Sequence, residues 1–272
     1  MASQPPADAA AAGLDARLTK AAVRQGTTVE LTLRAAVPLE RLGVRFAGRA
    51  WPVYANGGGV WRTILATDPT TTPGQHVIVV DGIAADGLRL VVRRNVAVAR
   101  VAFQRRRLTF DSERRGLLTP ENAARERRRV AEALRELARE QLWEGFLALP
   151  IDARVSSPYG VLSIYHGVVR GFHGGVDFAA DEGAPVRAAA DGIVRLAEAL
   201  PLSGNAVLVD HGLGVVSSYL HLSEIAVQAG QRVAKGEVVG KVGATGLATG
   251  PHLHWGLRVN GVRVDPLSWT RP

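Results

Sequence analysis

Pro251-His252-Leu253-His254-Trp255 sets two imidazoles at alternate positions, and His173-Gly174-Gly175-Val176-Asp177 sets an imidazole and a carboxylate four residues apart. Side chains of a β-strand alternate with period two, so each pair shares a face wherever its segment is extended. Two such segments can close around one cation. Zinc takes neutral imidazole and carboxylate in tetrahedral geometry, and a catalytic zinc usually keeps three protein ligands and one open position. Two histidines and one aspartate meet that count, which leaves one histidine of the His252/His254 pair for proton transfer. A histidine taken singly reads as a satisfied polar residue; the combination carries the chemistry.

Positioning such groups requires a sheet, and the surrounding segment is patterned as one. Val186 to Val194, Ala206 to Asp210, Val215 to Leu220 and Val238 to Val242 are short apolar or alternating runs with glycine at most junctions, as expected of strands joined by tight turns. His211, in Asp210-His211-Gly212-Leu213-Gly214, falls in a turn between two of these runs and reads as structural. Gly230 to Gly240 is similar to the hairpins of biotinyl and lipoyl carrier domains, with Lys235 the only candidate for a covalent cofactor. That carrier reading leaves the placed metal-site residues unexplained.

His173-x-Gly175-x-Asp177, Ser218-Tyr219-Leu220-His221-Leu222 and Thr249-Gly250-Pro251-His252-Leu253-His254, in that order, resemble the lysostaphin-like zinc metallopeptidases, which cleave peptide bonds in bacterial peptidoglycan. The resemblance runs from about Ser156 to Trp269 and includes Gly183-Ala184-Pro185-Val186, Ala190 to Val194, Gly204-Asn205-Ala206-Val207 and Asp210-His211-Gly212. It implies a β-sheet groove with zinc on its floor, held by His173, Asp177 and His254, with His221 and His252 as the two catalytic histidines. Beside the metal, an imidazole of ordinary pKa about 6.5 can take a proton from activated water, and a second can stabilise the oxyanion or protonate the leaving amine. Which histidine does which stays open. The loop Thr245 to Gly250 is expected at the groove wall, with the flexibility to admit a peptide. Three positions depart from the family pattern: Gly256 where an acidic residue often follows, Ser163 near a common arginine, and His166 near a common asparagine. They bear on substrate preference, although His166 is also close enough to His173 to line the cleft or take a fourth metal position in a latent state.

The rest of the chain reads as support. With 272 residues there is room for two cores. Residues 1–17 read as a lead-in, 18–104 as a β-sandwich accessory domain, 105–149 as a charged helical linker and 150–272 as the metallopeptidase domain. The accessory domain, an immunoglobulin-like sandwich by its many short strands, includes Val29, Leu31 and Leu33 on one face and turns at Asn56-Gly57-Gly58-Gly59, Pro73-Gly74 and Asp86-Gly87. His76 reads as a surface strand residue. In the linker, Thr119 caps a helix beginning at Pro120, with an apolar stripe Val130, Leu134, Leu137, Ala138 and Leu142. Arg125 to Arg129 read as a solvated face laced with ion pairs rather than a binding patch. Trp143 and Phe146 are candidate anchors onto the metallopeptidase domain.

A formal charge of +8 favours an anionic partner. The arginines interleave with glutamates and no nucleic-acid motif is present, so a cell wall is favoured over nucleic acid. The sequence has no cysteine, which excludes disulfides and thiolate metal sites, and no apolar run approaches the roughly 20 residues that span a bilayer. Met1 to Gly13 lacks the basic start and apolar stretch of a secretory signal. Because the resemblance implies a substrate in the cell envelope, periplasmic or extracellular, an export signal is expected to have been removed. The expected partner is peptidoglycan peptide. A catalytically inactive wall-binding or regulatory protein is the competing reading, although such proteins usually lack ligands that are present here.

Overall fold

Alternation of apolar and polar residues shapes most of this chain into antiparallel sheet. The computed structural model describes residues 13–108, 111–165 and 168–270, which form two compact units divided after Val101. The first has a four-stranded sheet of Leu14–Leu18, Thr28–Ala35, Val60–Ala66 and Tyr54–Ala55, and a five-stranded sheet of Ala22–Arg24, Arg89–Ala99, Gly74–Ala84, Leu39–Phe46 and Arg49–Trp51. Val29, Leu31 and Leu33 are buried, as their spacing predicts, with Leu65, Ile78, Val80 and Phe46 completing the core. His76, half-buried, donates from Nε2 to the Thr72 carbonyl and lies edge-on to Phe46.

The second unit is built on one eight-stranded sheet. Its strands are β1 (Arg154–Ser157), β2 (Gly175–Ala179), β3 (Gly192–Leu200), β4 (Gly204–Gly212), β5 (Val215–Leu222), β6 (Arg232–Val233), β7 (Leu253–Val259) and β8 (Val262–Val264). They pair in the order β1-β2-β7-β5-β4-β3-β6, with β8 against β7. In β7 the odd positions Leu253, Trp255, Leu257 and Val259 are all fully buried. Trp255 packs against Phe178 of β2, and Tyr219 of β5, its register partner, is buried beside it. This back-face core leaves the even positions of β7 to line a groove.

Two helices precede the sheet, α1 (Ser112–Leu117) and α2 (Pro120–Ala133). Thr119 caps α2 by accepting from the Asn122 N–H, with Pro120 in the first turn. The helix stops at Ala133, short of the stripe expected to reach Leu142, because the chain beyond it bonds elsewhere. Asp210 of β4 accepts from the Ala138 N–H at 2.7 Å, and the His211 carbonyl accepts from the Leu142 N–H at 2.8 Å. Val130, Ala133, Leu134 and Leu137 still pack together on Leu196, Leu200, Leu208 and Val216. Arg129 adds two contacts of 2.8 Å to Glu198 of β3, while Arg125, Arg127 and Arg128 stay exposed. Trp143 is buried against Trp269, whereas Phe146 is half exposed.

Candidate metal centre and cleft

Register brings the candidate metal-binding side chains together. Asp177 of β2 stands opposite His254 of β7, and His254 also stands opposite Leu220 of β5. His173, just before β2, reaches the same point: its Nε2 is 3.0 Å from Asp177 Oδ1 and 3.0 Å from His254 Nδ1, and His254 Nδ1 is 2.8 Å from Asp177 Oδ1. Each of the three side chains is about 15% exposed, so they are dry on one side and reachable from the other. His173, Asp177 and His254 form the metal-capable cluster found among the described residues.

The hydrogen bonds behind the rings set their tautomers. A carbonyl only accepts, so His173 Nδ1–H donates to Pro158 O (2.9 Å), His221 Nδ1–H to Thr245 O (2.9 Å) and His252 Nδ1–H to Gly250 O (2.8 Å). In the neutral rings Nε2 is then the lone-pair nitrogen. The lone pair of His173 Nε2, Asp177 Oδ1 and His254 Nδ1 therefore face one another within 3.0 Å. A cation with N and O ligands at about 2.0–2.2 Å, as zinc has, would seat among these atoms once they spread by a few tenths of an ångström, from 2.8–3.0 Å toward the roughly 3.3–3.6 Å edges of such a tetrahedron. The residues present fit such an ion.

Electrostatics agree with a site of charge convergence. Burial works to raise the Asp177 carboxyl, yet the polar interactions with the His173 and His254 rings beside it hold it well below the usual carboxylate range. Burial lowers His254, opposed by Asp177. Burial, then the charges of His254 and His252, push His221 down to about 3, against the pull of the Thr245 carbonyl and Asp177.

His221 reaches the cleft by breaking the strand rule. Positions 216, 218 and 220 of β5 share the groove face with the even residues of β7, so regular alternation would turn residue 221 to the back. Instead the register of β4 with β5 shifts between Asn205↔Leu222 and Val207↔Tyr219, a bulge in which His221 takes φ +64°. Its ring comes to 5.0 Å from that of His252 and 6.1 Å from that of His254, centre to centre. A left-handed conformation at a non-glycine residue is strain retained at a place of use. Glycine clears the other side: a Cβ on Gly175 would lie 2.8 Å from His254 Nε2.

The cleft is a cavity of about 760 Å³ lined by all five of these residues together with Ser163, Thr249, Gly250 and, from α2, Glu126 and Val130. The loop after Gly243 forms its wall as expected, tied down by Leu247 N–H to Leu202 O at 2.8 Å. His166 lies outside the described residues. His211 is fully buried away from the cleft, bonded to the Asp191 carbonyl and Ser217 Oγ, and burial lowers its pKa. Lys235 donates its ammonium to the Phe146 carbonyl. Sequence reasoning passed over Glu126 and Arg258, both lining the cavity. Continuing the His252/His254 alternation by two steps reaches Arg258; nothing in the sequence points to Glu126.

A β-sheet groove floored by a three-residue metal cluster, with two further imidazoles beside it, has the construction of a metallohydrolase domain. Comparison with known proteins makes the class specific. Residues 171–266 match peptidase family M23, and the crystal structure of a Pseudomonas aeruginosa protein assigned to peptidase M23 is 31% identical, covering 93% of this chain and 96% of that one with a TM-score of 0.63. The chain belongs to peptidase family M23, the lysostaphin-like metallopeptidases. It is 45% identical over 124 residues to the DD-carboxypeptidase/endopeptidase Mpg of Neisseria meningitidis, a match covering 45% of this chain and 28% of that protein. With the peptidoglycan DD-endopeptidase ShyA of Vibrio cholerae it shares 38% identity over 137 residues, 49% of this chain and 32% of the relative. The chain thus spans about a third or less of these curated relatives.

Proposed function

We propose that this protein is a zinc-dependent endopeptidase hydrolysing peptide bonds of bacterial peptidoglycan in the cell envelope. The observation that carries the reading is the convergence of His173 Nε2, Asp177 Oδ1 and His254 Nδ1 within 3.0 Å, beside two imidazoles in one open cleft. Zinc, with its tetrahedral preference for N and O donors, is the metal that this set suits. His173, Asp177 and His254 are its ligands in this reading, and His221 and His252 the catalytic residues. The names of the relatives Mpg and ShyA support peptidoglycan as the substrate class.

Bound at the cluster, zinc supplies a Lewis acid that polarises a carbonyl and acidifies water. The chain's own groups do the rest. His252 Nε2, 3.9 Å from Asp177 Oδ1, and His221 on its other side are each oriented by a backbone carbonyl to hold or deliver a proton at Nε2. The Pro158 carbonyl fixes His173 in the tautomer that offers Nε2 to a metal. Thr28–Ala35, Gly74–Ala84 and Arg89–Ala99 of the first unit bury alternate residues along most of their length; this supports an immunoglobulin-like sandwich serving as a binding or positioning module.

The test is bond cleavage with metal content measured alongside. Purified sacculi incubated with the protein should release muropeptides, and His252→Ala should retain stoichiometric zinc while losing that release. Zinc binding without any cleavage by the wild type would favour the inactive wall-binding reading, and failure to bind zinc after reconstitution would end the metal-site argument.

A further inference from the structure

The groove continues past the histidines. On β7 the face that carries His252 and His254 carries Gly256 and then Arg258, and all four line the cavity. Arg258 stands directly opposite Arg263 of β8, which lines it too. Like charges opposite each other on an antiparallel ladder are destabilising, so this pair calls for an anion. Among the described residues neither guanidinium has a carboxylate or carbonyl partner. Arg258 is half-buried; burial and then the charge of Arg263 lower it to about 10, against the pull of Glu126, so it stays cationic at neutral pH. Glu126 is already committed, its carboxylate accepting from the N–H of Leu202 and Ser203 and from Ser203 Oγ.

Gly256 keeps the floor open between the metal cluster and Arg258. A Cβ there would lie 2.6 Å from Ser218 Oγ and 3.7 Å from His254 Nε2. Arg263 runs over Gly174, the neighbour of His173, with Nε 3.0 Å from the place of a Cβ on that glycine. From His254 to Arg258 the strand rises about 13 Å, roughly the length of four extended residues. A peptide laid along the floor with its reacting bond at the cluster would bring a group three or four residues away to these arginines. Guanidinium forks match carboxylates in geometry and charge.

We propose that Arg258, assisted by Arg263, is a carboxylate-binding subsite of the groove that holds an anionic carboxylate of the peptide substrate a few residues from the bond broken. The subsite rests on the peptidase reading above and adds to it the charge that the substrate must carry. Either a terminal α-carboxylate or a side-chain carboxylate supplies that chemistry.

Three forms of one cross-linked stem-peptide dimer separate these sources: free carboxylates, terminal α-carboxylates amidated, and side-chain carboxylates amidated. For the wild-type zinc protein, one amidation should lower kcat/KM by about tenfold or more, the scale of one charge-assisted hydrogen bond, and thereby identify the carboxylate. In Arg258→Gln the ratio between free and amidated forms should collapse toward one, with Arg258→Lys intermediate. If Arg258→Gln fails to fold, Gly256→Glu with Ser218→Ala supplies an internal carboxylate to Arg258 and should abolish the same discrimination. Calorimetric binding of the three dimers to His252→Ala provides a second readout. Cleavage with no effect of either amidation, or with discrimination that survives Arg258→Gln, overturns the subsite and leaves the peptidase standing. Binding that depends on Arg258 and on the carboxylate, without cleavage by the wild type, keeps the subsite and overturns the peptidase; neither cleavage nor binding overturns both.

Discussion

Glu126 of α2 lies far in sequence from every histidine of the cleft, yet its removal should damage both stability and turnover. Its carboxylate accepts from Leu202 N–H at 2.8 Å, Ser203 N–H at 3.1 Å and Ser203 Oγ at 2.6 Å. The Ser203 carbonyl in turn accepts from His221 N–H at 2.9 Å, at the residue held at φ +64°. Hydrogen bonds to a charged group contribute about 1.5–3 kcal/mol each. Glu126 is only half-buried, so water can take over part of what truncation frees; about 2–4 kcal/mol for Glu126→Ala is the reasoned total. For a domain of this size that lowers Tm by about 5–12 °C. The left-handed conformation at His221, worth about 1–3 kcal/mol of strain, persists only while its surroundings impose it. Freed from the clamp, His221 should relax, and kcat on peptidoglycan should fall about tenfold or more with zinc content unchanged. Calorimetric melting, metal analysis and muropeptide release measure the three quantities. Glu126→Gln should lie between wild type and Glu126→Ala. An unchanged Tm in Glu126→Ala would show that the clamp carries no energy, and a lowered Tm with full turnover would show that it is not coupled to His221.

Removing any of His173, Asp177 or His254 by alanine should abolish stoichiometric zinc, measured after dialysis, whereas His221→Ala and His252→Ala should keep it and lose about 100-fold or more in kcat. Gly175→Ala puts a Cβ 2.8 Å from His254 Nε2, so metal affinity should fall, read by chelator competition; affinity equal to wild type would refute the packing argument. The buried His211 gives a pH dependence. Its folded pKa lies below the ordinary 6.5, so below about pH 6.5 the unfolded chain binds the extra proton first. Stability should therefore be complete above that pH and decline as pH falls through and below it. Urea melts between pH 7.5 and 5 should show the decline, and an undiminished slope in His211→Gln would assign it elsewhere. Gly212 has φ +87° and no room for a Cβ against the Glu140 backbone; Gly212→Ala should destabilise the fold by more than 2 °C in Tm, checked by thermal melting.

Periodicity made most of this structure legible, and the places where periodicity breaks are the places that chemistry uses. His252, His254, His173 and Asp177 obey strand alternation, so their shared face follows from spacing alone, and the buried Val29, Leu31 and Leu33 follow by the same rule. The stripe from Val130 to Leu142 misleads past Ala133, because capture of the Ala138 N–H by Asp210 is a tertiary bond that no local pattern announces. His221 is the sharper case. Its parity in β5 assigns it to the back of the sheet, and only the bulge opposite Ala206 returns it to the cleft. From outside the strand, the Ser203 carbonyl accepts from His221 N–H at the bulge, and the glutamate of α2 grips the loop that carries Ser203. A motif can therefore identify the residue as one of the family's histidines while a contact that helps hold it at the cleft comes from a helix about a hundred residues earlier. Arg258 reverses the situation: its place on the groove face was readable from His254 by counting two, but its meaning depends on Gly256 having no side chain and Arg263 standing opposite. The positions of the candidate ligands follow from local sequence, whereas the orientation of the proposed proton-transfer group and the charge of the groove arise from contacts that only the fold creates.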